Sequence, residues 1–136
     1  MALLNDLVGL GMPPEQANKL AVPTIDALQI EPVMAAATAA GSTITDATLL
    51  TGVVNNVTTV GAGQGVKLNP LTPIGYSITV RNAGANNLTL YPTSANDQFN
   101  ANTAGAGLTL TTVNKQIACC CRVSSTLWVT TVQNSV

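Results

Sequence analysis

The stretch that decides the fold is Tyr76-Ser77-Ile78-Thr79-Val80-Arg81-Asn82, in which apolar and polar side chains alternate. Because successive side chains of a strand point to opposite faces, residues 76, 78 and 80 share one face and residues 77, 79 and 81 the other. Residues 117–123 divide into odd-numbered and even-numbered faces in the same way. We predict that both stretches are strands of a sheet that is covered on one side.

The same two-residue period extends from residue 43 towards the end of the chain, interrupted by turn residues such as Gly61-Ala62-Gly63. The candidate strands are 44–50, 53–60, 65–68, 76–82, 88–91, 98–100, 108–112, 115–123 and 127–132. Many short strands at this spacing predict a β-sandwich or barrel, and alternation on a single face favours antiparallel pairing. We predict a mainly β body over residues 42–136, a jelly-roll-like antiparallel β-sandwich, although periodicity does not separate a jelly roll from other sandwiches.

Residues 1–41 follow a different pattern and predict an N-terminal arm with short helices. The first helix is indicated by apolar residues at helical spacing before Gly9, and the second begins at Pro13-Pro14 and continues to Ala21. Helices this short are marginal alone in water, so they must dock on the body or on another chain. The predicted docking residues of the arm are Leu3, Leu4, Leu7, Val8 and Leu20.

Charge is scarce, because only 8% of the 136 residues are charged. Five Lys and Arg residues cannot form a phosphate-binding stripe, which argues against nucleic-acid binding. Residues 1–46 hold five acidic residues against one lysine, a net charge of −4, and residues 47–136 have a net charge of +3. This division could draw the arm to a body, or it could be chance. A surface whose polar groups are mainly Thr hydroxyls and Asn amides does not repel other molecules by charge. This suggests that partners cover the surface of the chain.

Catalytic and metal-binding groups are equally scarce. The chain has no His, which removes the commonest general base and metal ligand, and only Asp97 among its six acids lies after residue 46. Asn96, Asp97 and Asn100 could offer oxygens to calcium, but an ordinary Asx turn fits one carboxylate better. The segment 61–65 lacks the Gly-Lys-Ser/Thr ending of a phosphate loop and is interpreted as a hairpin loop. We predict no enzymatic activity, cofactor or metal.

Cys119, Cys120 and Cys121 are consecutive, and neighbours in one strand cannot easily form a disulfide. They are interpreted as small buried hydrophobes with one less buried thiol. The N-terminus lacks the basic region of a secretory signal, and the apolar stretch 32–40 is too short to span a bilayer. We therefore expect synthesis in a reducing cytosol and no membrane association.

Two aromatic residues have alternative interpretations. Trp128 is the only tryptophan, and it could anchor a partner or stack on a sugar, or it could cover the core. Tyr91, before Pro92, presents the same choice. Both are kept as possible surface contacts.

The segment ITVRNAGANNLTLYP, residues 78–92, resembles one that recurs in small virion proteins of tailed bacteriophages. There it forms a strand, an N-A-G-A-N turn, a strand and a Y-P turn. Residues 55–60 and 66–68 upstream, and 94–131 downstream, also fit, so the resemblance covers about residues 41–132. The Cys run is not part of that pattern.

In character the chain is most similar to capsid decoration, or cement, proteins of podovirus-like phages. The resemblance implies a jelly-roll body with an N-terminal arm, placed on the capsid exterior and tying neighbouring major capsid subunits together. It further implies a dimer or a trimer, and we place the homodimer first and the homotrimer second because two-fold dimers are the commonest assembly. The alternative is a tail or fibre module that recognises host glycan through Trp128, Tyr91 and Asn-rich loops.

Overall fold

The computed structural model describes residues 31–113 and 115–135, and 47% of these residues lie in strands, with no helix among them. The prediction of a mainly β body is confirmed. The strands are β1 (Glu31–Thr38), β2 (Thr48–Leu49), β3 (Gly52–Thr59), β4 (Gly65–Lys67), β5 (Ser77–Asn82), β6 (Leu88–Tyr91), β7 (Gln98–Phe99), β8 (Leu108–Leu110), β9 (Ile117–Arg122) and β10 (Leu127–Gln133). The predicted helices and all five predicted docking residues of the arm fall within residues 1–30, outside the described residues. Residues 31–38, which we assigned to the arm, form β1 of the body.

The strands form two sheets, and the chain alternates between them from β1 to β9. The six-stranded sheet has the order β1-β3-β5-β9-β10-β7, and the four-stranded sheet has the order β2-β4-β6-β8. Two successive strands of one sheet are therefore separated by a strand that returns through the other sheet. This path gives successive strands of one sheet the same direction, so β1, β3 and β5 are parallel, as are β2, β4 and β6.

The first six strands thus form three stacked turns of a flattened coil. In the larger sheet Ala35 pairs with Asn55, which pairs with Val80, so successive turns advance by 20 and 25 residues. In the smaller sheet Thr48, Val66 and Leu90 stand in register in the same way. Strands β8 and β9 then add antiparallel to β6 and β5 and close one end of the stack.

This topology corrects the prediction of antiparallel sheets. Among the described residues five of the eight strand pairs are parallel, so both sheets are mixed. The jelly-roll prediction is not confirmed, because a jelly roll is built from antiparallel sheets. Alternation reports that one face of each strand is buried, and it carries no information about the direction of the neighbouring strand.

Both sheets pack on one shared core. The inward side chains of β3, β5, β9 and β10 meet those of β4, β6 and β8 in a single apolar cluster, in which Trp128 and Phe99 are the largest members. Fully buried residues from both sheets include Val57, Ile78, Val80, Val66, Leu88, Leu90 and Leu110. The body is therefore a two-layer sandwich whose outer faces and loops remain for contact with other molecules.

Candidate interaction surface

The solvent-facing side of the six-stranded sheet, here called the outer face, is broad and almost uncharged. One row of neighbouring residues crosses five strands, from Thr131 through Cys119, Thr79 and Val54 to Met34. Met34 is 67% exposed and Val54 37%, and Val129 nearby is 45% exposed. Thiol and hydroxyl groups of Cys119 and Thr79 lie between these apolar side chains, so the outer face is a mixed and weakly polar surface. Interfaces between proteins commonly have such a mixed composition.

Arg81 is the charged residue that β5 contributes to the outer face, and two hydrogen bonds hold its guanidinium against neighbouring segments. Its Nη1 donates to Asn56 Oδ1 at 3.1 Å, and its Nε donates to Ser135 Oγ at 3.4 Å. Asn56 pairs with Arg81 across β3 and β5. The Arg81 guanidinium is therefore held by hydrogen bonds within the body, and these uncharged partners leave its positive charge in place.

Other cations of the body join loops to one another through neutral oxygens. Lys115 Nζ donates to the carbonyl oxygens of Ala83 and Gly84. Arg122 Nη1 donates to the carbonyl oxygens of Pro70 and Thr72, at 2.8 and 2.7 Å, while its Nη2 donates to Ser125 O. These side chains hold the ends of the sandwich together and are not presented as a free basic patch.

A smaller apolar patch lies where Arg122 joins these loops, and we call it the loop patch. It consists of Leu71, Ile74, Tyr76 and Val123, each between 43% and 60% exposed. Arg122 N donates to Tyr76 O, and Gly75 N donates to Arg122 O, which places residues 74–76 beside residue 123. The loop patch is a second apolar surface available for contact.

The segment that carries the phage resemblance forms a hydrogen-bonded junction at the opposite end of β5. Buried Asn82 donates from Nδ2 to the carbonyl oxygens of Asn86 and Leu110, and its Oδ1 accepts from Gly84 N. Asn86 Nδ2 donates in turn to Val60 O. The N-A-G-A-N turn therefore ties three loops together, and its amide side chains act inside the body.

The prediction that Trp128 is a surface contact is wrong, because its side chain lies in the core and is 0% exposed. The guanidinium carbon of Arg122 lies 5.7 Å from the centre of its ring, within the range of a cation–π contact. Its Nε1 has no hydrogen-bond partner. Of the two interpretations of Trp128, covering the core is the one that the structure supports.

Tyr91 lies on the outer side of the smaller sheet and is half-buried. Its hydroxyl donates to Ser42 O at 2.7 Å. A Cβ atom at Gly65 or Gly107 would meet its ring at 2.7 or 3.0 Å, so the ring rests on two glycines. Glycine beside an aromatic ring on a neighbouring strand is a known way of covering a sheet. Tyr91 thus packs within the chain, and part of its side chain stays exposed.

The burial of the three thiols differs from our prediction, which had buried cysteines and one less buried thiol. Cys120 points inward and is buried, whereas Cys119 is exposed and Cys121 is intermediate, both on the outer face. The alternation of β9 causes this division, because Ala118 and Cys120 face the core. Burial raises the pKa of the Cys120 thiol to about 12.

The division predicts unequal thiol reactivity. At neutral pH we expect iodoacetamide to modify Cys119 and Cys121 quickly and Cys120 only after unfolding, because the thiolate is the reacting form and Cys120 stays protonated and covered. Since the folded pKa is raised, the neutral thiol stabilises the fold fully below about pH 9, and this contribution is lost as pH rises towards 12. Mass spectrometry of time points checks the order, and Cys120→Ala should remove the slow site. Equal rates at all three thiols would contradict the burial of Cys120.

The Asx turn predicted around Asn96, Asp97 and Asn100 is not seen at Asn96 or Asp97. Instead Ser94 organises this turn, because its Oγ donates to Asp97 Oδ1 at 2.9 Å and accepts from Asn96 N at 3.3 Å. Asn100, with a positive φ of 51°, exchanges two hydrogen bonds with the backbone of Thr130 and so extends the sheet beyond β7. Asp97 Oδ1 and Asn100 Oδ1, two of the oxygens considered for calcium, thus accept hydrogen bonds within the chain. Among residues 31–113 and 115–135 no group of three or more His, Cys, Asp or Glu residues is placed to hold a metal ion.

Comparisons of this chain with known protein families, curated protein sequences and solved structures found no significant match. The part of the chain that the structure describes contains no helix long and apolar enough to cross a membrane. The outer face is accordingly the candidate site on which a function can be argued.

Proposed function

We propose that the protein is a phage capsid decoration protein that binds the outside of the shell and ties neighbouring major capsid subunits together. The observation that carries the proposal is the outer face, which presents apolar side chains and thiols over several strands while Arg81 is bonded within the sheet. A specific contact needs more than about 1,000 Å² of buried surface, and a face of this breadth suits one.

The chemistry of the body supports an architectural role. The cationic groups of Lys115 and Arg122 are bonded to backbone carbonyls, and the thiol of Cys120 is buried with a raised pKa of about 12. A two-layer sandwich supplies rigid area, and repetition of one contact over a shell multiplies a modest affinity. In this proposal residues 1–30 reach a second subunit, and the self-association is a homodimer or a homotrimer.

The alternative, a tail or fibre module that binds host glycan, receives less support. Trp128 is fully buried, and the Tyr91 hydroxyl is bonded to Ser42 O, so neither aromatic residue presents a free ring with a free polar end. Copy number in purified particles separates the two functions. Copies comparable in number with the major shell protein support decoration, and a few copies support a tail part.

The outer face is tested by a charge placed on β10, beside the two outward-facing thiols of β9. Val129→Glu should lower occupancy on purified particles at least tenfold, because a carboxylate would be desolvated against the shell. Val113→Glu is the matched control, because Val113 is 84% exposed in the turn between β8 and β9, away from the outer face. Equal occupancy of the two variants, at equal folded content, would exclude the outer face as the shell contact.

The N-terminal segment has a separate test. Deletion of residues 1–20 should lower occupancy on the particle, because the predicted docking residues Leu3, Leu4, Leu7, Val8 and Leu20 are removed with it. Occupancy is measured as the ratio of this chain to the major shell protein in purified particles. Unchanged occupancy would remove the segment from the mechanism and leave the outer-face contact in place.

A further inference from the structure

The β1 edge of the larger sheet is the longest edge of the sandwich. The two sheets have four edge strands, of which β2 and β7 contain two residues and β8 three, whereas β1 spans eight. Among the described residues β1 pairs only with β3, so its other side has no backbone partner within this part of the chain. A strand edge is a template for pairing with another strand, and the regular part of this edge is residues 34–37. Glu31 and Pro32 stand at the start of β1, and the register with β3 shifts on either side of residues 34–37.

The middle of β1 also lacks the features that normally protect an edge. Residues 34–37, Met-Ala-Ala-Ala, contain no charge, proline or glycine, and they keep an uninterrupted register with β3. The side chains of Met34 and Ala36 are exposed on the outer face. Small, neutral side chains let a second backbone approach without steric or electrostatic cost.

We propose that two copies of the chain pair edge to edge through β1, as antiparallel strands related by a two-fold axis perpendicular to the sheets. Such an axis places the larger sheets of the two copies in one layer and their smaller sheets in the other. The β2 edges, which lie at the same end of the stack, are thereby brought towards each other together with the β1 edges. Two six-stranded sheets become one continuous sheet, and the contact is self-complementary, as a two-fold interface requires.

The size of the contact fits a second copy as the occupant. Eight residues at about 3.3 Å each make the end of the sandwich about 26 Å long, and two sheets about 10 Å apart with their side chains make it about 20 Å thick. Each copy would bury on the order of 500 Å², and the pair about 1,000 Å², near the lower limit for a specific dimer. A contact of this size suits a reversible dimer, whose dissociation constant a concentration series measures.

The inference goes beyond the proposed function, because this dimer forms or fails to form without any shell. It also places residue 31 of each copy at opposite ends of the paired strands. The segments that precede β1 in the two copies would then begin at two separated points, from which they could reach different neighbours.

The test is a charge exchange at Ala36 in the full-length chain, read by sedimentation velocity over a concentration series. Ala36→Glu places like charges near each other across the two-fold axis and should abolish the dimer, as should Ala36→Lys. An equimolar mixture of the two variants should restore it. Thr58→Glu is the matched control, because it adds the same charge on the same face of β3, one strand inside the edge, and should dimerise like the parent chain.

The outcomes are separable. Loss of the dimer with Ala36→Glu, its return in the mixture and unchanged circular dichroism spectra support pairing through β1. A parent chain that stays monomeric over the whole series overturns the proposal, whatever else covers the edge. A dimer that tolerates Ala36→Glu overturns it as well, because the copies then meet elsewhere. Occupancy on particles, measured with Val129→Glu, tests the proposed function independently of these results.

Discussion

Replacement of Trp128 by Ala should lower the free energy of unfolding by about 3–5 kcal/mol, the range for loss of a large buried aromatic side chain. The ring is 0% exposed, and it fills the core between the two sheets together with Phe99. Its removal leaves a cavity that the rigid strand pairs around it cannot close. Urea unfolding followed by circular dichroism measures the change.

Trp128→Phe is the control that separates volume from hydrogen bonding. Because Nε1 has no partner, phenylalanine loses no hydrogen bond and should cost less than half as much as alanine. Phenylalanine also keeps an aromatic ring near the Arg122 guanidinium. If Trp128→Ala unfolds at the same urea concentration as the parent chain, the ring is not a core residue, and its interpretation as a surface contact is restored.

Replacement of Asn82 by Ala should cost about 3 kcal/mol, because it leaves two carbonyl groups and one N–H group of a buried junction without partners. The same loss should loosen the end of the sandwich at residues 83–87. Urea unfolding measures the free energy, and amide hydrogen exchange locates the loosened residues.

Asn86→Ala is the matched control, since it removes one side-chain hydrogen bond, to Val60 O, and should cost about 1 kcal/mol. Asn82→Asp keeps an acceptor for Gly84 N but loses the donor to Asn86 O and Leu110 O, so it should destabilise the fold as strongly as alanine. An Asn82→Ala variant within 0.5 kcal/mol of the parent, about the usual limit for a surface substitution, would contradict the junction.

Much of the secondary structure could be predicted from the sequence. The candidate strand 53–60 corresponds to β3 and the candidate 76–82 to β5, each displaced by no more than one residue at either end, and 88–91 coincides with β6. These strands alternate cleanly and are bounded by Gly, Pro or Asn, which are local signals. Residues 31–38 gave no such signal, because alanine favours helix over strand, and pairing with β3 overrides that local preference.

The contact surface could be predicted only in part. The low charge of the chain led us to expect a surface covered by partners, which stays a prediction, and the position of each aromatic and thiol group depended on neighbours far along the sequence. The Tyr91 ring is partly covered because Gly65 and Gly107 lie beside it. Cys120 is buried because the even-numbered residues 118 and 120 of β9 face the core. The outer face was not foreseen, since its residues come from strands that are distant in the chain.

The amino-acid sequence by itself determined that this chain forms short strands with one buried face, and that titratable chemistry after residue 46 is sparse. Only the tertiary structure decided the direction in which the strands pair, which side of each strand faces the core, and which edge stays open. The physical reason is the range of the interactions. Alternation and turn residues act over a few neighbours, whereas the parallel coil is held by backbone pairs and a shared core that join residues 18 to 25 positions apart or more.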